Sequence, residues 1–213
     1  MSLNICEIFY SIQGESSRAG CPCIFIRLSG CNLKCSYCDT TYASKPGQDQ
    51  SIDQIIENIQ CYPCRLVAIT GGEPLLQDQT PQLVSELIQS GYSVLLETNG
   101  SIELEAIDEC CVKIVDIKCP ASGEVQSFNP AVLAGLSKQD ELKFVISDRL
   151  DYEFARDFLS RLKGNPVSAV HFSPVMTKLP AKELAAWILA DGLPVRCAPQ
   201  LHRFIWPDID RGV

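Results

Sequence analysis

The chain has 213 residues, 46% of them apolar and 21% charged, with a net charge of −8. That length suits one domain, 1–213, with a sizeable core, and the acidic balance argues against general affinity for nucleic acid. No apolar run is long enough to span a bilayer, and the start MSLNICEIFYS lacks the basic and apolar stretches of a secretory signal, so a cytoplasmic protein without a membrane partner is expected.

In chain order, 24–28 (IFIRL) reads as a short strand leading into a cysteine-rich loop. Ser51 is a good N-cap for a helix whose Ile52, Ile55, Ile56 and Ile59 share one face. Residues 66–70 (LVAIT) read as a buried strand, and Thr80 followed by Pro81 starts a helix that Gly91 ends. Further strands are expected at 94–97, 112–117, 142–146, 168–172 and 194–197. Between them, helices are expected at 152–162, with Phe154, Ala155, Phe158, Leu159 and Leu162 on its apolar face, and at 181–190. Alternation of this kind argues for an α/β fold with a parallel sheet and helices outside. About six strands are too few for a closed eightfold barrel of ~250 residues, so a partial, open (βα)6-type, TIM-like barrel is expected. In such folds the chemistry gathers at the C-terminal ends of the strands.

The cysteines Cys31, Cys35 and Cys38 occur there as CNLKCSYC, a Cys-x3-Cys-x2-Cys spacing with Tyr37 before the last thiol. Three thiolates this close can hold three irons of a 4Fe–4S cluster and leave the fourth iron open for a ligand. The same cysteines could form half of a zinc site, with Cys61 and Cys64 (CYPC) as the other half. A disulfide framework suits neither the length nor the absence of a secretory signal. The two histidines, His171 and His202, are too few to build a histidine metal centre. After the second strand comes Thr70-Gly71-Gly72-Glu73-Pro74, where two glycines let backbone approach a ligand closely.

This combination resembles the radical S-adenosylmethionine (SAM) superfamily, in which SAM occupies the open iron. FYSIQGE at the N-terminus, IRLSGC before the loop, Asp39-Thr40 directly after Cys38, TGGEPLLQ, LLETNGS and the C-terminal QLHRFIW make the chain similar, over nearly its whole length, to the 7-carboxy-7-deazaguanine synthase family. The resemblance implies a lyase of 7-deazapurine (queuosine) biosynthesis. Its substrate would be 6-carboxy-5,6,7,8-tetrahydropterin, its cofactors the 4Fe–4S cluster, SAM and magnesium. A radical formed from SAM would take the hydrogen from C6, the ring would contract and ammonia would leave. SAM would be regenerated.

The resemblance also implies residue roles. Cys31, Cys35 and Cys38 would hold the cluster. SAM would meet Tyr37, Gly71, Gly72 and Glu73, whose carboxylate suits an ammonium. It would also meet Asp116, Ile117 and Lys118, and Ser173, Pro174, Val175 and Met176. Arg27, a two-pronged donor in an apolar strand, suits the substrate carboxylate. Ile12, Gln13, Gly14, Thr70 and Pro207 would contact the pterin. Thr40 would hold magnesium, with Asp39 as a second partner of the ion. Glu15 is open between a pterin contact and a loop charge, and Asn99 between a ligand contact and a turn. An electron donor such as flavodoxin or ferredoxin, and a homodimer, are implied. Cys6, Cys21, Cys23, Cys110, Cys111, Cys119 and Cys197 read as small buried hydrophobes or surface thiols. Two other functions stay open: a radical SAM activase that forms a glycyl radical on a protein partner, and a non-catalytic zinc or iron–sulfur protein.

Overall fold

Strands with near-continuous apolar runs belong in sheets covered on both faces. The computed structural model, which describes residues 2–162, 167–209 and 211–213, builds one such sheet. Its strands are β1 (Leu3–Ile12), β2 (Pro22–Leu28), β3 (Gln48–Gln50), β4 (Leu66–Gly71), β5 (Ser93–Thr98), β6 (Val112–Asp116), β7 (Glu141–Ile146), β8 (Ala169–Pro174) and β9 (Arg196–Cys197). The helices are α1 (Ile52–Ile59), α2 (Thr80–Gln89), α3 (Arg149–Arg161), α4 (Ala181–Asp191) and α5 (Leu201–Ile205).

The nine strands lie in the order β3-β1-β2-β4-β5-β6-β7-β8-β9. From β2 to β9 every neighbouring pair is parallel, whereas β1 runs antiparallel to both β2 and β3. The outermost strands, β3 and β9, do not pair with each other, so the barrel is partial and open as expected.

Two strands escaped the sequence reading. In β1 the apolar alternation is broken by a bulge between Ile5 and Glu7. The other, β3, is the polar tripeptide Gln48-Asp49-Gln50, which has no apolar face to betray it. The chain also crosses from β5 to β6 without a helix, and from β6 to β7 through three short 3-10 turns.

Helix ends follow local chemistry. Ser51 and Gln54 form a reciprocal capping box on α1. Asp148 caps α3 through the Asp151 amide, which starts that helix three residues before the expected 152. Thr80 starts α2 as expected but does not cap it: Gln79 holds the N-cap position, and the Thr80 hydroxyl donates instead to the Pro74 carbonyl at 2.6 Å.

The core has two sides. Ile24, Ile26, Leu28, Val67, Ile69, Val94 and Leu96 pack with α1 and α2, and Leu142, Phe144, Ile146 and Phe172 pack with α3 and α4. On the opposite, concave face, Phe9, Cys23, Phe25, Ala68, Leu95 and Ile114 form a separate apolar cluster. Side chains alternate along a strand, so the next residue on that face lies two positions on. These are Arg27, Thr70, Glu97 and Asp116, so the concave face turns from apolar to polar at the C-terminal ends of the strands.

Candidate active site

The polar end of the concave face is built from opposite charges. Lys143 on β7 sits between Glu15, to which it is hydrogen-bonded, and Asp116, 3.7 Å away. Asp116 also accepts from Lys118 at 2.9 Å. Burial works against the Lys143 charge, but Glu15, Asp116 and Glu97 outweigh it and hold the ammonium well above the ordinary lysine range. Burial likewise opposes the Asp116 carboxylate, yet Lys118 and Lys143 pull its pKa below the usual value.

Glu97 is the other deep carboxylate. It accepts from Gln13 Nε2 at 3.3 Å and from Thr70 Oγ1 at 3.4 Å, and burial raises its pKa. Further along the face, His171 Nε2 lies 2.7 Å from Glu141, which also accepts from the Ser17 amide at 3.0 Å. Thus Gln13, Thr70, Asp116 and Lys118 are brought together, and Glu15 proves to be a buried ion-pair partner. Glu97, Glu141, Lys143 and His171 were missed. Their signal was available: charged or imidazole side chains in otherwise buried apolar strands, at a spacing of two where both fall in ELK.

The cysteine loop lies over this face and is tied to the 3-10 turns at Thr41–Ser44 and Pro120–Ser122 and to the end of β7. The Gly30 amide donates to Ala43, Ser36 Oγ to Ala121 and Tyr37 Oη to Val145. Cys31, Cys35 and Cys38 are free thiols close enough to feel one another electrostatically, and burial raises the pKa of Cys31 and Cys35. The Gly71-Gly72-Glu73 turn approaches closely. Gly71 has φ +143°, and a Cβ on Gly72 would lie 1.9 Å from the Gly30 carbonyl oxygen. Lys118 lends positive charge beside Cys35. Three neighbouring free thiols on one short loop, with a nearby ammonium and a close backbone cradle, fit a 4Fe–4S cluster with one open iron. Cys61 and Cys64 sit ahead of β4, at the far end of that strand, so they do not complete a zinc set with the loop. Among the described residues no group of three or more His, Cys, Asp or Glu converges on a single ion.

Glu73 is buried and accepts from the amides of Asn99 (2.7 Å) and Leu75 (3.0 Å) and from Thr98 Oγ1 (2.9 Å). Asn99 in turn donates from Nδ2 to Asn32 in the cysteine loop at 2.9 Å. Both residues therefore shape the turn. Ser173 and Pro174 end β8 and are buried, and Val175 and the exposed Met176 follow. The Ser173 hydroxyl is buried and has no hydrogen-bond partner among the described residues.

After the loop, Thr40 Oγ1 donates to Asp39 at 2.8 Å. Burial opposes the Asp39 charge, but the Thr40 bond and Lys143 hold its pKa below the usual range. Gln200 Nε2 bridges Asp39 (3.2 Å) and Glu15 (2.8 Å), and the Leu201 amide donates to the Gly14 carbonyl at 2.9 Å. The C-terminal segment reaches the site through Gln200, Leu201, His202 and Arg203, while Pro207 is exposed beyond α5. Ile12 ends β1, half-buried against Pro22.

Comparison with known proteins agrees with this architecture. A model of the radical SAM superfamily matches residues 25–186. A 7-carboxy-7-deazaguanine synthase of Koribacter versatilis is 48% identical over 227 residues, covering 99% of this chain and 100% of the relative. One of Chlorobaculum tepidum is 42% identical over 214 residues, covering 99% and 97%. The crystal structure of QueE from Escherichia coli superposes with a TM-score of 0.80 at 25% identity, covering 95% of each chain. SuiB of Streptococcus suis, bound to its precursor peptide, shares the fold alone, at TM-score 0.58 and 13% identity over 80% of this chain and 46% of its own. The chain belongs to the radical SAM superfamily and, within it, to the 7-carboxy-7-deazaguanine synthase family, whose members carry a 4Fe–4S cluster and use SAM.

Proposed function

We propose that this chain is a radical SAM lyase converting 6-carboxy-5,6,7,8-tetrahydropterin to 7-carboxy-7-deazaguanine, with ring contraction and loss of ammonia, in 7-deazapurine (queuosine) biosynthesis. The carrying observation is the concave face on which Arg27, Thr70, Glu97, Asp116 and Lys143 gather beneath the three-thiol loop. A flat, carboxylated ring with several N–H groups calls for cations and carboxylates together in a desolvated site. The names of the relatives support the same reading.

When bound, the cluster and SAM supply a hydrogen-abstracting radical, and the protein orients the ring and keeps water away. Cys31, Cys35 and Cys38 would hold the cluster. SAM would lie along Tyr37, the Gly71-Gly72-Glu73 turn, Asp116, Ile117 and Lys118, and the strand end at Ser173, Pro174, Val175 and Met176. With its own carboxylate engaged by the protein, Glu73 would act by shaping the turn. The pterin would rest against Ile12, Gln13, Gly14 and Thr70, with its carboxylate on Arg27. The Gln200–Arg203 segment is better placed than Pro207 to close over it. Thr40 donates its hydroxyl hydrogen bond to Asp39, which leaves hydroxyl lone pairs to face magnesium. Residues 1–213 would act as one radical SAM domain, as a homodimer in the cytoplasm, reduced by flavodoxin or ferredoxin.

The test is anaerobic reconstitution with iron and sulfide, followed by SAM, magnesium, dithionite and the carboxypterin. An ultraviolet-absorbing deazapurine with release of ammonia supports the proposal. SAM cleavage that ignores the pterin would favour the activase reading, and bound zinc without a cluster would sink both enzymatic readings.

A further inference from the structure

Arg27 is not a free side chain waiting for an anion. Its Nε donates to Glu7 Oε1 at 2.8 Å, and Tyr42 Oη donates to the same oxygen, also at 2.8 Å. Its terminal Nη1 and Nη2 groups make no hydrogen bond among the described residues. The guanidinium carbon lies 5.7 Å from the Phe9 ring centre and 5.9 Å from that of Tyr42. Phe9 is itself stacked on Phe25 at 4.8 Å, so one wall of this slot is rigid. On the outside, Arg211 lies over the Tyr42 ring at 4.0 Å.

The bulge in β1 makes this arrangement possible. Ile5 stands opposite Leu28, and Glu7, not Cys6, stands opposite Arg27. In a regular ladder the residue after Ile5 would face Arg27, and a thiol would occupy the carboxylate's place. One inserted residue carries Glu7 onto the concave face beside Arg27. Burial, partly offset by Arg27, pushes the Tyr42 hydroxyl up to about 12, so it remains a donor near neutrality.

We propose that Glu7 is a positioning residue for carboxylate recognition: it holds Arg27 by Nε, and Tyr42 fixes Glu7, so that the Nη1/Nη2 edge is presented two-pronged to the carboxylate of the substrate. Arg has one Nε edge and one terminal edge, and a carboxylate bound by the terminal pair is held in plane. With Nε taken, only that geometry is left. The inference rests on the reading that Arg27 receives the substrate carboxylate.

The test compares Arg27→Ala, Glu7→Ala, Glu7→Gln and Tyr42→Phe, each with iron content measured, for KM and kcat with the carboxypterin. The inhibition constant of a tetrahydropterin lacking the carboxylate is measured alongside. Glu7→Ala is expected to raise KM by about tenfold or more with a much smaller change in kcat, and to leave the inhibition constant unchanged. Gln keeps an acceptor for both donors, so Glu7→Gln should recover most of the loss, and Tyr42→Phe should show a weaker form of it. If Arg27→Ala raises KM but Glu7→Ala does not, the positioning role is overturned while the carboxylate reading stands. If Arg27→Ala leaves KM unchanged, the reading beneath it falls. Should Glu7→Ala lose its cluster, Glu7→Gln and Tyr42→Phe decide the matter: a lower affinity for the carboxylate-free pterin in either would assign Glu7 to general structure.

Discussion

The Asn99 amide donates to Glu73 at 2.7 Å, and the Asn99 side chain donates to Asn32 at 2.9 Å. Through these bonds the ends of β4 and β5 hold the cysteine loop in register with the glycine turn. Burial raises the pKa of Glu73, but three donors satisfy the carboxylate. Removing it strands those donors. Glu73→Ala should lower stability by about 3 kcal/mol in urea unfolding, and it should reduce iron retention after reconstitution. A stable variant with full iron content would show that the turn does not depend on this carboxylate.

The loop thiols and the remaining cysteines should separate cleanly. Cys31→Ser, Cys35→Ser and Cys38→Ser should each abolish the iron–sulfur absorbance and SAM cleavage. Cys61→Ser and Cys64→Ser, at the far end of β4, should leave both intact. Iron and sulfide assays read this directly, and loss of the cluster in either of the second pair would require a different ligand set.

Lys143 is the ammonium that lies among Glu15, Asp116 and Glu97, with Lys118 also pairing Asp116. A charge left buried without its partner is strongly destabilising, so Lys143→Met should reduce stability by about 3–5 kcal/mol. Adding Glu15→Gln should recover part of that loss, because one stranded carboxylate is removed. Denaturant midpoints of the two single variants and the double variant form the cycle, and additive effects would rule out the coupling.

Gly14 has no room for a side chain. A Cβ there would lie 2.1 Å from His202 Nδ1 and 3.1 Å from its backbone nitrogen. Gly14→Ala should therefore lift α5 from the site, visible as faster carboxypeptidase trimming of the chain end, with a raised KM for substrate. Trimming at the unaltered rate would mean that α5 accommodates the methyl group.

His202 makes the same attachment sensitive to acid. Burial lowers its pKa from 6.5, with Glu15 and Asp39 partly opposing. The folded state prefers the neutral ring, so its contribution is complete above pH 6.5 and is lost as pH falls through the lower folded value. Carboxypeptidase trimming should accelerate between neutral pH and about pH 5, and His202→Gln should flatten that dependence. An identical profile in the variant would place the acid-sensitive contact elsewhere.

The amino-acid sequence by itself determined the three-thiol loop, the glycine turn and the βα alternation. Each is local: a spacing of cysteines, a pair of glycines after an apolar strand, a change of period from two to 3.6. It also marked Arg27 as out of place in an apolar strand. Only the tertiary structure decided what surrounds Arg27. Glu7 lies 20 residues away in sequence, and a one-residue bulge decides whether it or Cys6 stands opposite. The same holds for Lys143, 128 residues from Glu15, and for Gln200, 161 residues from Asp39. A charge inside an apolar strand stands out in a sequence, but what it pairs with does not. Such partners are fixed by strand order and register, which no local pattern encodes.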